Sequence, residues 1–464
     1  MRKARPWGKK QGQKIVEVTA GLQTLHAHAA GIDVGHAEHC AAVPAGSASP
    51  PVQTFGSFTA DLHRLAKWLV GCRVETVVMQ ATGVYWLGLY QVLESYGLQV
   101  YVVNAKYTKT LPGRKTDVQE CQWLQQLHSF GLLNNSFLPP EEIRVLRTYL
   151  RHRESLVAEA GRCLQQMQKV LIEMNVQLAN VLSDLSGVTG MAILKAILSG
   201  ERDPEQLAAL AQPGVRASRK EIAQSLEGHW RDDRLFVLRQ THDLYFFYLE
   251  SIRECDRQIA AHLQTLQAKV DVQAHPLPEA PPPQRLPRRK HIPQTNLRAE
   301  LYRITGVDLT RIDGVQVQTA QVVISEVGVD MTRWPDEHHF ASWLGLSPNN
   351  HITGGKVIRR GTKKVLNRAA CALRLAAQTL HRSKSYLGAK YRRLRAKLGA
   401  PKAITAMAHH LARLIYRLLR FGTAYHDKGV EHYERQYREN ELKWLQKHAT
   451  RLKMQVVPSP ELAG

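Results

Sequence analysis

Short apolar runs and helical spacings alternate through the first third of the chain. Gly31-Ile-Asp-Val-Gly35 is an apolar run broken by one acid, residues 39–43 read as a second strand, and residues 52–55 read as a third. Leu62, Leu65, Ala66 and Leu69 then fall at helical spacing, residues 74–79 form a β-branched run, residues 85–95 a helix and residues 100–103 another strand. The order β-β-β-α-β-α-β, with a further helix behind it, predicts a mixed sheet flanked by helices. Pro112-Gly113 closes the loop before that last helix, Thr116 is its natural N-cap, and Gln119 stands three residues on as in a capping box. Asp117, Glu120, Leu124 and Leu127 fall at i, i+3, i+7 and i+10. Both acids therefore share the face that turns its leucines inward, and reach the rim of the core.

After Pro139-Pro140 the pattern changes. Ile143, Leu146, Leu150, Leu156, Leu164, Met167, Leu171 and Met174 keep helical spacing, so a long helix is expected, and so long a helix needs a partner. Residues 185–190 resemble half of a helix-hairpin-helix turn, and helical spacing resumes over residues 221–226 and 235–269. An intermolecular coiled coil and an intramolecular bundle both satisfy this pattern. The prolines of residues 276–293 make that segment an extended linker. Beyond it, Leu309-Thr-Arg-Ile-Asp-Gly-Val-Gln-Val-Gln-Thr-Ala320 follows a helix-hairpin-helix pattern around Gly314, with Gln316 where a second glycine is usual. A plain interhelical turn fits it nearly as well. Amphipathic helices follow over residues 367–380 and 401–419, and residues 427–452 form a mixed-charge helix without legible chemistry. The expected organisation is a basic tail (1–25), an α/β domain (26–138), a helical arm (139–275), a Pro-rich linker (276–297), a mainly helical domain (298–425) and a helical tail (426–464).

Charge changes this picture most in the last domain. The chain of 464 residues carries 63 Lys and Arg against 40 Asp and Glu, a formal charge of +23. Residues 338–426 contain no acid and eighteen of the cations. Such a segment calls for a polyanionic partner. Within it the hydroxyl of Thr353 stands beside Gly354 and Gly355, followed by Lys356, Arg359, Arg360, Lys363, Lys364 and Arg368. This is a place to hold a phosphodiester, although a solvated basic face with a glycine turn reads the same way. Tyr386, Tyr391, Arg392, Arg393 and Arg395 suit a surface that tracks a nucleic-acid backbone.

Nothing approaches eighteen consecutive apolar residues, and the first fourteen residues lack an apolar core, so neither a membrane span nor a secretory signal is expected. The six cysteines form no CxxC pair, which points to reduced thiols in a cytoplasmic protein. His36, His39 and Cys40 read as strand and turn residues rather than as a zinc site. Asp33, inside a short buried strand, asks for a positive partner. Asp33, Asp117 and Glu120 together point to a divalent metal, because clustered carboxylates repel one another unless a cation sits among them.

Gly31-Ile-Asp-Val-Gly35, Met79-Gln-Ala-Thr-Gly-Val-Tyr-Trp86 and Pro112-Gly-Arg-Lys-Thr-Asp-Val-Gln-Glu-Cys-Gln-Trp-Leu124 resemble the DEDD transposases of insertion sequences related to the Piv invertase. The resemblance implies an N-terminal RuvC-like domain of RNase H fold and a C-terminal transposase domain. It sets the family's acidic positions, with Mg²⁺ as cofactor, on Asp33, Gln80, Asp117 and Glu120. Gln80 replaces a glutamate and loses its charge, while keeping a carbonyl oxygen able to ligate a hard cation; Glu120 replaces an aspartate. Phe340-Ala-Ser-Trp-Leu-Gly-Leu-Ser-Pro348 and the turn after it are similar to the family's transposase domain, whose nucleophilic serine aligns with Thr353; Ser347 is the second candidate. The same reading places Arg114, Lys115, Gly314, Gly354, Gly355, Lys356, Arg359, Arg360, Lys363, Lys364, Arg368, Arg392 and Arg393 on nucleic acid. It further implies DNA partners at the element ends and target, a guide RNA from the element, and a homodimer or homotetramer. A metal-dependent nuclease or junction resolvase, and a nucleic-acid-binding protein impaired in cleavage, are the alternatives.

Overall fold

A computed structural model describes residues 23–105, 116–277, 279, 296–359, 361–362 and 367–457. The chain divides into two compact units, Met1–Leu138 and Pro139–Gly464. The first carries strands β1 (Ala29–Val34), β2 (Glu38–Ala42) and β3 (Val52–Gly56), helix α1 (Thr59–Gly71), strand β4 (Thr76–Gln80), helix α2 (Trp86–Ser95), strand β5 (Gln99–Val103) and helix α3 (Asp117–Ser129). The five strands lie in the order β3-β2-β1-β4-β5. β1 pairs antiparallel with β2 and parallel with β4, and β4 pairs parallel with β5. This is the mixed, RNase H-like sheet that the strand and helix order predicts.

The two faces of the sheet do different work. Ala30, Ile32, Val34, Val77 and Met79 alternate onto one face and build the larger core with Leu65 and Leu69 of α1 and Leu89 and Leu93 of α2. The other face is covered by α3, where Leu124 meets Val78 and Val103, and Cys121 meets Cys40 and Ala42. The approach of α3 depends on one glycine. A Cβ at Gly31 would lie 2.3 Å from the backbone nitrogen of Gln125 and 2.4 Å from the carbonyl oxygen of Cys121. Only a residue without a side chain lets this helix lie so close to β1.

The second unit begins with α4 (Glu141–Glu173), the short helices α5 (Leu178–Val181), α6 (Val188–Leu198), α7 (Pro204–Ala208) and α8 (Arg219–Ser225), and then α9 (Asp232–Thr265). α4 and α9 are 33 and 34 residues long, each about 50 Å. They run antiparallel along each other. Arg153 donates to Asp256, the Cys255 thiol to the Tyr149 carbonyl, and the His262 ring contacts the Glu142 carbonyl, while Arg234 pairs with Glu173 at the far end. The long apolar stripe therefore finds its partner within the chain. At the far end the four short helices close over Met167, Leu171, Leu194 and Leu238.

The helical region beyond consists of α10 (Leu297–Thr305), α11 (Val317–Val327), α12 (Glu337–Trp343), α13 (Arg368–Thr379), α14 (Tyr386–Leu398), α15 (Ala400–Phe421) and α16 (Gly429–Arg451). Between α12 and α13 lies one small hairpin, β6 (His351–Thr353) and β7 (Lys356–Arg359). α15 is the centre of this region, burying Met407, Leu411, Ile415 and Leu419 along one face. It also ties α12 in place: Arg413 and Arg417 both donate to the Glu337 carboxylate, and the Tyr416 hydroxyl donates to the Trp334 carbonyl at 2.8 Å. Arg147 and Arg151 of α4 clasp Glu326 of α11, joining the long helix pair to the C-terminal helices. No helix among the described residues is long and apolar enough to cross a membrane.

Candidate active site

The acidic corner of the first unit follows from strand register. Ile32 of β1 pairs with Met79 of β4, so the next positions, Asp33 and Gln80, are side by side at the carboxyl ends of two parallel strands. They share the sheet face of Gly31 and Val78, which is the face under α3. The first turn of α3 completes the corner. Thr116 caps it, its hydroxyl accepting from the Gln119 amide at 3.3 Å, as its position before the helix predicts. Glu120 is half-buried at the rim, and the Gln80 amide nitrogen donates to its Oε1 at 2.5 Å. Asp117 lies one turn earlier on the same helix, exposed. The positive end of the helix dipole favours both carboxylates there.

Gln80 is 2 % exposed, and the chain after it is turned back at once: the Ala81 amide donates to the Val103 carbonyl and the Thr82 amide to that of Gln80, both at 2.9 Å. Asp33 is half-buried and close enough to act on Cys121. Burial, the Cys40 sulfur 3.3 Å away and the negative charge of Asp33 all push the Cys121 thiol far above its ordinary range. Cys121 is thus held as a thiol and offers no thiolate to a cation. The oxygen donors beside it, three carboxylates and one amide carbonyl, are those a hard divalent ion takes. Among the described residues no three His, Cys, Asp or Glu side chains stand close enough together to hold a metal ion. His36 and His39 do not join this corner: His36 meets the Tyr85 ring edge-on at 5.3 Å, and His39 is buried in β2 with its Nδ1 unpaired, where desolvation lowers its pKa.

In the second unit Thr353 ends β6 and faces Lys356 across the turn. Gly354 and Gly355 have φ of +55° and +76°, the left-handed pair that a two-residue hairpin turn requires. The hairpin is extended at its base by the Asn349 amide donating to the Gly361 carbonyl at 2.7 Å and by a bridge from Pro348 to Thr362. Every residue of β6 and β7 is exposed, including Ile352 and Ile358 at 61 % and 72 %. Ser347 lies half-buried before the hairpin.

The expected nucleic-acid contacts divide sharply. Lys356 and Arg359 project from the hairpin, exposed. Arg368 pairs instead with Glu154 of α4, and Arg392 donates to the carbonyls of His381 and Ser383. Arg393 pairs with Glu434 and lies 3.7 Å over the Tyr437 ring, both on the tail helix α16. Gly314 has φ +85° and a packing duty, since a Cβ there would stand 2.8 Å from the Ala376 carbonyl oxygen of α13. Arg114, Lys115, Arg360, Lys363 and Lys364 lie outside the described residues. The tail was silent as sequence because none of its side chains is buried; it docks through Tyr433, Glu434, Gln436 and Tyr437 on α14.

Comparison with known families accounts for both halves. Residues 30–176 match a transposase model of the DEDD type named for IS110. Residues 308–392 match the transposase model of the IS116/IS110/IS902 family. No curated protein matches the chain. The first match covers the sheet from Ala30 onward, α3 and all of α4, and the second runs from the Gly314 turn through the hairpin into α14. Together the two matched segments span half of the chain, which belongs to the IS110/IS116/IS902 family of DEDD transposases, enzymes of DNA transposition.

Proposed function

We propose that this transposase cuts and rejoins DNA strands with two groups from its two family-matched segments: the acidic corner of Asp33, Asp117 and Glu120, assisted by Gln80, and the hydroxyl of Thr353. The observation that carries the reading is the meeting of Gln80 and Glu120 beside Asp33 at the ends of β1 and β4, under a helix that a strand glycine lets in. DEDD transposases use a divalent metal, and a Mg²⁺ ion bound here supplies Lewis-acid stabilisation of the charge that builds on the phosphate oxygens. Asp33, Asp117 and Glu120 would hold it by carboxylate oxygens and Gln80 by its carbonyl oxygen, once that amide turns away from Glu120.

In the transfer step Thr353 Oγ1 attacks phosphorus and gives up its proton, the phosphorus bond to the departing strand oxygen breaks, and that oxygen takes a proton. The phosphodiester is conserved as a threonine ester, ready for a strand hydroxyl to reverse the exchange. Lys356 and Arg359, on the strand after Thr353, offset the charge of the phosphate oxygens. Guidance by an RNA and assembly into a dimer or tetramer belong to the same reading, supported by the excess of positive charge and by the family to which the chain belongs.

The test incubates the purified chain with Mg²⁺, labelled element-end DNA and total RNA of its host, denatures it, and looks for DNA migrating with protein. An adduct present in the parent and absent from both Thr353→Ala and Asp117→Ala is expected. Cleaved DNA without an adduct, lost only in Asp117→Ala, would instead make the acids a water-activating nuclease site.

A further inference from the structure

A second concentration of basic groups lies where α12, α14 and α15 meet. Lys390 of α14 turns its amine toward α15, and Nζ stands 3.4 Å from both ring nitrogens of His410. His410 cannot answer its charge: burial, Lys390, Arg413, His409 and Arg417 together hold the imidazole neutral, its pKa pushed down to about 3. Desolvation and the Arg413 guanidinium also lower the pKa of Lys390 itself. His409 is depressed for related reasons, by burial, Arg413, His338 and Lys390, with Glu337 opposing. The acid that faces the group among the described residues is Glu337, and its two oxygens are taken by Arg413 and Arg417. Among the described residues no carboxylate pairs with Lys390. With Lys390, Arg413 and Arg417 against Glu337, the cluster keeps a surplus of positive charge in a half-buried place, which is costly unless an anion enters.

We propose that Lys390, with His409 and His410 beside it, binds a backbone phosphate of nucleic acid, the amine supplying the charge and the imidazoles hydrogen-bonding the phosphate oxygens once an anion is present. The inference rests on the nucleic-acid reading of this region and adds a site to it. It differs from the surface cations on α14, because Arg392 and Arg393 already spend their guanidinium groups on carbonyls and on the tail helix, whereas Lys390 lacks an acidic partner among the described residues. A duplex DNA and an RNA strand present the same phosphodiester chemistry, so both serve as probes.

The experiment measures the affinity of the full chain for a mixed-sequence duplex DNA and for a single-stranded RNA of equal length, over a range of KCl concentrations, in the parent, Lys390→Met and Lys390→Gln. The expected result is roughly tenfold weaker binding in both variants. The slope of log K against log salt should shrink by about 0.9 where the lost phosphate is in duplex DNA, or by about 0.7 where it is in single-stranded RNA. A change confined to one probe identifies the source. Footprinting of the parent chain with an amine-acylating ester gives a readout free of any folding defect: Lys390 should be modified in the free protein and protected by the bound probe. Parent-like affinity and slope in the variants, or equal modification of Lys390 with and without probe, overturn the inference while leaving the nucleic-acid reading intact. A parent chain that binds neither probe overturns both.

Discussion

The corner that holds Gln80 and Glu120 and the hairpin that holds Thr353 are built by opposite means. The corner sits at the end of a five-stranded sheet, with Gln80 buried, Glu120 hydrogen-bonded to it and the helix above seated against the backbone of β1. The hairpin has strands of three and four residues, no buried side chain, and two glycines in open space at its tip. Packing fixes the first, and turn chemistry alone shapes the second. Packing holds Gln80 against Glu120, although among the described residues Asp33, Asp117 and Glu120 do not stand close enough together to hold a cation. A nucleophile on an exposed, locally determined hairpin is free to meet a strand that arrives from outside.

This contrast can be broken at Gly31. Gly31→Val should force α3 off β1 and cost about 3 kcal/mol or more in urea unfolding of the chain, with loss of strand cleavage. An unchanged midpoint would mean that α3 is not seated as described. Gly355→Ala tests the other side: the space is open, and only the left-handed φ of +76° resists. Its penalty, about 1–2 kcal/mol, should fall on the hairpin and appear as faster amide exchange of residues 351–359, with the unfolding midpoint of the chain unmoved.

Gln80→Glu sharpens the account of the corner. Without metal, two carboxylates then face each other across the present 2.5 Å contact, and the thermal midpoint should fall. At one Mg²⁺ concentration about a hundredfold over the variant's Kd, Gln80→Glu gains roughly 2.7 kcal/mol while the parent, with one carboxylate fewer and a weaker Kd, gains less, so the midpoint should rise more in Gln80→Glu. Equal Mg²⁺ responses would show that Glu120 and position 80 do not share a cation.

The last effect expected is on acid stability. The unfolded chain protonates His410 near its ordinary pKa of 6.5, while the folded chain resists until about pH 3. Between those values the unfolded state binds more protons, so stability falls as pH falls. His410→Gln should flatten that part of the stability curve, measured by urea midpoints at several pH values. An unchanged slope would show that His410 is solvated and free to charge.

Much of the first unit was legible because its signals are local. The β-branched runs, the glycine-flanked strand around Asp33 and the Thr116 cap each announce an element, and their order implies the mixed sheet. The Gln80 to Glu120 bond was not legible, because it requires knowing that β4 lies parallel to β1 and that α3 crosses both. The hairpin read only as a turn, since strands of three and four residues are too short to show an alternation. On the basic helix α14 the cations were legible but their partners were not. Arg392 and Arg393 read as open cations, yet their partners come from carbonyls at its start and from a tail helix that sequence periodicity could not dock. Lys390 was overlooked among the same cations; what sets it apart is the neutral imidazole across from it, twenty residues on.

The most direct test of the central claim is to isolate the protein–DNA adduct, digest both components, and locate the remaining nucleotide by fragmentation mass spectrometry. The account predicts a nucleotide phosphate on Thr353, in an adduct that forms with Mg²⁺ and fails to form in Asp117→Ala. A nucleotide on Ser347, or an adduct that survives Thr353→Ala, would contradict it.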